Sequence, residues 1–111
     1  MLDHSLLKPE LTVDQMIAGC RLARRCGVAA ACVKPSEVAR AWEELEGSGV
    51  LPATVVGFPH GANRTEVKVL EAELAIRDGA RELDMVLNIG KLLSQRHAQG
   101  GRLQDLREGR G

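Results

Sequence analysis

The sequence has almost no aromatic residues: Trp42 and Phe58 are the only two among 111, and tyrosine is absent. A hydrophobic core must therefore be built from Val, Leu, Ile and Ala side chains. No apolar run approaches the roughly 20 residues that a membrane-spanning helix needs, so we expect no membrane partner. The first residues also lack a charged segment followed by an apolar block, which predicts that there is no secretory signal.

The sequence has neither a charge excess nor paired cysteines. Fifteen Lys and Arg residues balance fifteen Asp and Glu residues, so no basic surface predicts binding to nucleic acid. The three cysteines, Cys20, Cys26 and Cys32, form no CxxC pair and indicate reduced thiols in the cytoplasm. No histidine and cysteine pair has metal-ligand spacing, so no metal is predicted. The glycine-rich motifs of dinucleotide and P-loop sites are also missing.

What the sequence does contain is a strand–helix pattern that repeats four times. Thr12 and Gln15 form a capping box, and Gly27 stands where a helix end favours glycine. Ser36 is predicted to cap the second helix, and Thr65 to begin the third, with Val69, Ala72, Leu74 and Ile76 as its apolar positions. The predicted strands cover residues 2–7, 28–33, 53–56 and 82–87, and a fourth helix begins near 88.

Four strand–helix units joined by short loops predict an α/β fold with a parallel sheet. Units of about 25 residues suit either a doubly wound sheet or a (β/α)₈ TIM barrel; a whole barrel needs about 250 residues, so this chain holds about half of one. Residues 1–94 form the predicted half-barrel. Residues 95–111 contain no Val, Ile, Phe or Met but four Arg and four Gly, and are predicted to be an irregular tail, either disordered or read from a shifted frame.

Polar residues near the carboxyl ends of the predicted strands are the candidates for a functional site. Asp84 lies between Leu83 and Met85 in an apolar strand, where a buried carboxylate is costly unless it is paired or functional. Its alternative role is to cap a loop or pair with Arg81. Cys32 either lines a site or fills space in the core. The further candidates are Asp3, Ser5, Lys34, His60, Asn63 and Asn88.

Five sequence blocks together resemble the deoxyribose-phosphate aldolase family. They are DHSLLKP at 3–9, ACVKP at 31–35, TVVGFPHGAN at 54–63, TEVK at 65–68 and ELDMVLNIG at 82–90. The resemblance runs in order from residue 2 to about residue 94, and its most specific parts are 57–68 and 82–90. It implies a class I aldolase, a carbon–carbon lyase on a (β/α)₈ barrel, present here as the N-terminal half only.

The resemblance also implies a reaction and roles for particular residues. The family cleaves 2-deoxy-D-ribose 5-phosphate reversibly to glyceraldehyde 3-phosphate and acetaldehyde in deoxyribonucleotide catabolism, without metal or organic cofactor. A lysine forms a Schiff base with the substrate and acts as an electron sink. By resemblance, Asp84 is the aspartate that transfers protons, Asp3 and Ser5 are polar residues near the site, and Cys32 lines the substrate pocket. The expected partners are a phosphorylated sugar or aldehyde and, in a homo-oligomer, further copies of the chain.

The lysines depart from the family pattern. The four in this sequence, Lys8, Lys34, Lys68 and Lys91, match neither of the family's essential lysines, which lie on later strands. We therefore expect the chain alone to have no aldolase activity. The alternative is a non-catalytic half-barrel whose two open sheet edges lead it to associate with itself or with a partner.

Overall fold

The computed structural model describes residues 3–88 and 90–94, which form a four-stranded parallel sheet with its strands in chain order. The strands are β1 (His4–Leu6), β2 (Ala30–Val33), β3 (Leu51–Val56) and β4 (Glu82–Met85). The helices are α1 (Val13–Cys26), α2 (Val38–Leu45) and α3 (Thr65–Asp78), and a single helical turn occupies 90–94. Among these residues, no helix has the length and apolar character needed to cross a membrane.

The predicted signals at both ends of α1 are confirmed. The Thr12 hydroxyl accepts a hydrogen bond from the Gln15 N–H, and the Gln15 side chain accepts one from the Thr12 N–H at 2.8 Å. Gly27 ends the helix with φ at 67°, a conformation that glycine adopts at little cost. Because both ends are fixed locally, α1 presents Met16, Cys20 and Ala23 to the core.

The predicted start of α2 is wrong. Ser36 does not cap the helix; it lies inside a 3₁₀ turn, Pro35–Glu37, that precedes α2. Pro35 has the fixed φ that suits the first position of a helical turn, so the turn begins there and Ser36 is already within it. The Glu37 N–H donates to the Lys34 carbonyl at 2.9 Å, and no side chain caps α2 itself.

Three strands are shorter than predicted, and β2 begins at Ala30 instead of residue 28. β1 covers three residues instead of six, and β4 ends at Met85 instead of residue 87. β4 stops there because its neighbour β3 ends at Val56, which is paired with Met85. The last hydrogen bond between the two strands runs from the Val86 N–H to the Val56 carbonyl. After Val56 the chain leaves β3 and turns at Gly57, so no further pairing follows.

All three helices cover the same face of the sheet. Their buried residues join Leu6, Ala31 and Val33 in one core cluster. The opposite face has a smaller cluster made of strand residues, Ala30, Cys32, Ala53 and Val55, with Leu7 beside it. A doubly wound sheet has helices on both faces, whereas a barrel keeps its helices outside. The arrangement therefore favours the half-barrel over the doubly wound sheet.

The predicted core face of α3 is wrong. Val69, Leu74 and Ile76 are exposed. The residues that turn toward the sheet are Lys68 and those three, four and seven positions after it, which lie on one side of a helix: Glu71, Ala72 and Ala75. The two alanines let the helix approach closely, while Lys68 and Glu71 find hydrogen-bond partners in the backbone of the sheet.

Candidate functional site

Among the residues that the structure describes, one face of the sheet carries no helix and is called the helix-free face below. Four of the polar residues predicted from the sequence lie on this face. Side chains alternate between faces along a strand, so Asp3 and Ser5 point away from the face that buries Leu6. By the same alternation Asp84 points away from the face on which Leu83 packs, and Cys32 belongs to the cluster on the helix-free face.

Strand register places Ser5, Cys32 and Asp84 in two rows across the helix-free face. Ser5 lies opposite Cys32, Cys32 opposite Ala53, and Ala53 opposite Glu82. Asp84 lies opposite Val55, one row nearer the carboxyl ends of the strands. In parallel α/β folds this is the end of the sheet at which active sites form.

The Cys32 thiol reports the electrostatics of this face. Burial and then the negative charges of Asp84, Asp3 and Glu82 raise the pKa of the Cys32 thiol to about 11. Two carboxylates on β4 and one just before β1 therefore act on one sulfur atom. At neutral pH Cys32 is a protonated, uncharged side chain and not a nucleophilic thiolate.

Asp84 is exposed, which contradicts the expectation that its strand buries it. β4 is the last strand of the sheet, and nothing in the described part of the chain covers the helix-free face above it. The desolvation argument for Asp84 therefore does not apply here. The alternative pairing with Arg81 is not seen either; within residues 3–88 and 90–94 the Arg81 guanidinium donates to the Ala80 carbonyl instead.

The remaining candidates have local roles or lie exposed. The Lys34 ammonium donates to the carbonyls of Pro9 at 3.2 Å and Leu11 at 3.0 Å, and so ties down the loop between β1 and α1. The side-chain Oδ1 of Asn88 accepts a hydrogen bond from the Lys91 backbone N–H at 3.1 Å and caps the turn at 90–94. His60 and Asn63 are exposed in the loop after β3.

Sequence reasoning missed two residues that hold the carboxyl ends of the strands. The Lys68 ammonium donates to the Val86 carbonyl at 3.0 Å, just beyond β4. The Glu71 carboxylate accepts from the Gly57 N–H at 2.8 Å, just beyond β3. The signal that reveals them is their spacing with Ala72 and Ala75 on one helical stripe. The larger apolar residues of α3 lie on other sides of the helix and lead to the wrong prediction of its buried side.

This arrangement suits proton transfer more than metal binding. An exposed carboxylate at the carboxyl end of a strand, on the same face as a neutral thiol and a hydroxyl, can accept or donate a proton to a bound molecule. No group of three or more His, Cys, Asp or Glu side chains within the described ranges could hold a metal ion.

Curated proteins with similar sequences are deoxyribose-phosphate aldolases. The chain is 46% identical over 97 residues to that of Clostridium kluyveri, which covers 87% of this chain and 44% of the relative. It is 48% identical over 92 residues to that of Listeria monocytogenes serotype 4a, covering 83% of this chain and 41% of the relative. The chain thus spans less than half the length of these relatives. No protein-family profile matches it.

Solved structures agree with the sequence comparison. A crystal structure of a putative deoxyribose-phosphate aldolase from Coccidioides immitis matches with a TM-score of 0.84 and 39% identity, over 97% of this chain and 42% of that one. The structure titled "QR15, an Aldolase" matches with a TM-score of 0.80 and 37% identity, over 87% of this chain and 43% of that one. The fold is therefore part of an aldolase TIM barrel.

Proposed function

Because the chain is homologous over most of its length to part of the deoxyribose-phosphate aldolases, we propose that it supplies the N-terminal half of such an enzyme. The reaction is the reversible cleavage of 2-deoxy-D-ribose 5-phosphate to glyceraldehyde 3-phosphate and acetaldehyde, in the cytoplasm. Asp84 is the proton donor and acceptor, while Asp3, Ser5 and Cys32 line the substrate pocket. The free thiols of Cys20, Cys26 and Cys32 fit a reducing compartment.

The observation that carries this proposal is the position of Asp84. Its carboxylate is exposed on the helix-free face, one row above Cys32, at the end of the sheet where barrel enzymes hold their substrates. The protonated Cys32 thiol, on the same face two strands away, adds no competing charge to the pocket.

The covalent step needs a lysine from outside the described half. A Schiff-base lysine attacks the substrate carbonyl with its neutral amine, loses water to form the imine, and then accepts the electron pair of the broken carbon–carbon bond. In this chain the Lys34 and Lys68 ammonium groups are bound to backbone carbonyls. Because Lys8 and Lys91 also match neither of the family's essential lysines, we assign the imine to a lysine in the part of the relatives that this chain does not match.

The proposal is tested by completing the barrel. The chain is joined to the part of the Clostridium kluyveri aldolase that it does not match, and acetaldehyde release from deoxyribose 5-phosphate is followed through alcohol dehydrogenase and NADH. We expect turnover in the joined protein and none from the chain alone. Asp84→Asn should lower turnover by about 10²- to 10⁴-fold, the range for losing a general acid–base group.

Glu82→Gln is the matched control, because Glu82 is a carboxylate on the same face and strand but one row further from the carboxyl end. It should change turnover by less than about threefold, since Glu82 lies in the row of Ser5 and Cys32, which line the pocket without transferring protons. Equal losses in both variants would count against a special role for Asp84. If the chain alone gains the mass of a reduced substrate adduct after borohydride treatment, one of its own lysines forms the imine.

A second function, a non-catalytic half-barrel that binds copies of itself, is favoured by one observation. The cluster formed by Ala30, Cys32, Ala53 and Val55 has no covering layer in the described residues. Under this alternative the joined barrel is inactive, and the chain alone elutes as a stable dimer in size-exclusion chromatography with light scattering. Turnover in the joined barrel decides for the aldolase.

A further inference from the structure

Lys68 is an enclosed lysine whose charge is not used by the site described above. It lies in the first turns of α3 and is only 3% exposed. Its stem packs against Gly57, where an added Cβ would come within 3.0 Å of the Lys68 Cε. Its ammonium donates to the Val86 carbonyl at 3.0 Å. Burying an ammonium group is costly, so the contact that it makes must be well defined for the fold to tolerate it.

The segment that receives this bond is also held from the loop after β3. Gly61 has φ at 70° and lies so close to the backbone of Val86 and Leu87 that no Cβ fits. The Gly61 N–H in turn donates to the Gly57 carbonyl at 2.6 Å. The chain just beyond β4 is therefore fixed both by the Lys68 ammonium and by the Gly57–Gly61 loop.

We propose that Lys68 is a positioning residue for Asp84. It holds the Val86 carbonyl, two residues after Asp84, and so fixes the end of the strand from which the Asp84 carboxylate projects. The inference rests on the proposed function, because Asp84 is the group whose placement matters. A displacement of about 1 Å in a reacting group can cost about 10²-fold in rate, so a small shift of this strand end is enough to matter.

Lys68 acts through the backbone and does not touch the substrate. α3 packs on the face of the sheet opposite the helix-free face, and Ala75 of the same helical stripe belongs to the core cluster on that side. The ammonium therefore contacts the segment after β4 from the side of the sheet that the helices cover. Its loss should change where Asp84 lies without removing a group that binds the substrate.

The first test uses the joined barrel. Lys68→Met keeps the length of the stem and its packing against Gly57 but removes the donor. We expect kcat to fall about tenfold or more and KM to stay within about twofold, because the substrate contacts are intact. Lys68→Arg restores a donor and should return kcat to within about threefold of the original. Lys8→Met, at an exposed lysine, is the matched control and should leave both constants unchanged.

The second test uses the isotope-labelled full chain and does not depend on activity. The ¹³C resonances of the Val86 carbonyl and the Asp84 carboxyl are compared between the original chain, Lys68→Met and Lys8→Met. We expect Lys68→Met to move both resonances and Lys8→Met to move neither. If the Val86 resonance moves while that of Asp84 stays fixed, Lys68 is a structural residue and the inference is wrong.

These two tests separate the inference from the proposed function. A joined barrel that is inactive with Lys68 in place contradicts the aldolase proposal, while the resonances still decide whether Lys68 positions Asp84. If Lys68→Met does not fold, Lys68→Gln decides, because its shorter side chain keeps a donor but cannot reach the Val86 carbonyl from the same point. The Val86 and Asp84 resonances should then shift together, and a shift confined to Val86 overturns the inference.

Discussion

Burial, and then the negative charges of three carboxylates, determine the reactivity of the Cys32 thiol. With its pKa raised to about 11 from an ordinary 9.0, its thiolate fraction at pH 8 is roughly a hundredfold below that of a free thiol. We expect iodoacetamide to alkylate the exposed Cys26 quickly at pH 8 and Cys32 far more slowly. The Cys32 rate should rise about tenfold for each pH unit up to about 11. Peptide mass spectrometry measures both rates.

Cys26→Ser is the control for this prediction, because it removes the exposed thiol and should abolish the fast phase. Cys20 should stay slow as well, since burial followed by the charges of Glu44 and Glu37 raises its pKa to about 11. Fast labelling of Cys32 at pH 8 would contradict the burial of its sulfur and the carboxylate charges around it.

Gly61 and Gly27 provide a second comparison between single residues. Both have positive φ, but an added Cβ at Gly61 would overlap the Leu87 carbonyl, whereas at Gly27 it would meet nothing within 4 Å. Gly27→Ala should therefore cost about 1 kcal/mol, the price of the left-handed conformation alone. Gly61→Ala should cost about 3 kcal/mol or more, because the backbone must also move. Urea unfolding of the two variants measures the difference, and equal losses would contradict the close approach.

The sequence is enough to place Asp3, Ser5, Cys32 and Asp84 on one face of the sheet, because strand alternation and parallel order are local rules. The exposure of Asp84 was not predictable in that way. The residues on either side of Asp84 in the sequence show that it lies in an apolar strand. Whether its side chain is buried depends instead on which other elements cover that face of the sheet. Lys68 shows the same limit: its burial depends on the Val86 carbonyl, 18 residues further along the chain.

At the scale of the elements, the N-terminus of α1 is stabilised by a side-chain cap that α3 lacks. Thr12→Ala removes the hydroxyl that accepts from Gln15 and should lower the free energy of unfolding by about 1 kcal/mol. Thr65→Ala is the matched control, since α3 begins at Thr65 without a side-chain cap, and it should cost a few tenths of a kcal/mol at most. Urea titrations measure both. A loss at Thr65 equal to that at Thr12 would show that the capping box contributes little.

The order of the elements follows from the sequence, whereas their packing follows from it only in part. The capping box and Gly27 define α1 because both signals act within a few residues. The apolar stripe of α3 misleads, because the helix turns Lys68, Glu71 and two alanines toward the sheet. Small residues and backbone hydrogen bonds decide that orientation, and neither appears in a count of hydrophobic positions.

At the scale of the whole molecule, the exposed apolar side of α3 should drive association of the chain. Leu70 is 55% exposed, and with Val67 and Leu74 it lines a groove beside Pro35. We expect Leu70→Lys to reduce the associated fraction at a given concentration, because burying the new charge between copies is costly. Light scattering after size-exclusion chromatography measures this fraction. Leu22→Lys, at an exposed leucine of α1, is the control, and an equal reduction there would remove any special role for α3.

The order β1-β2-β3-β4 has a consequence for the time course of synthesis. Each strand pairs with the strand that follows it in the chain, across separations of roughly 20 to 30 residues, and short separations favour rapid formation. As the polypeptide leaves the ribosome, each new strand meets a neighbour that is already in place. The sheet can therefore grow one unit at a time, in the order in which its codons are read.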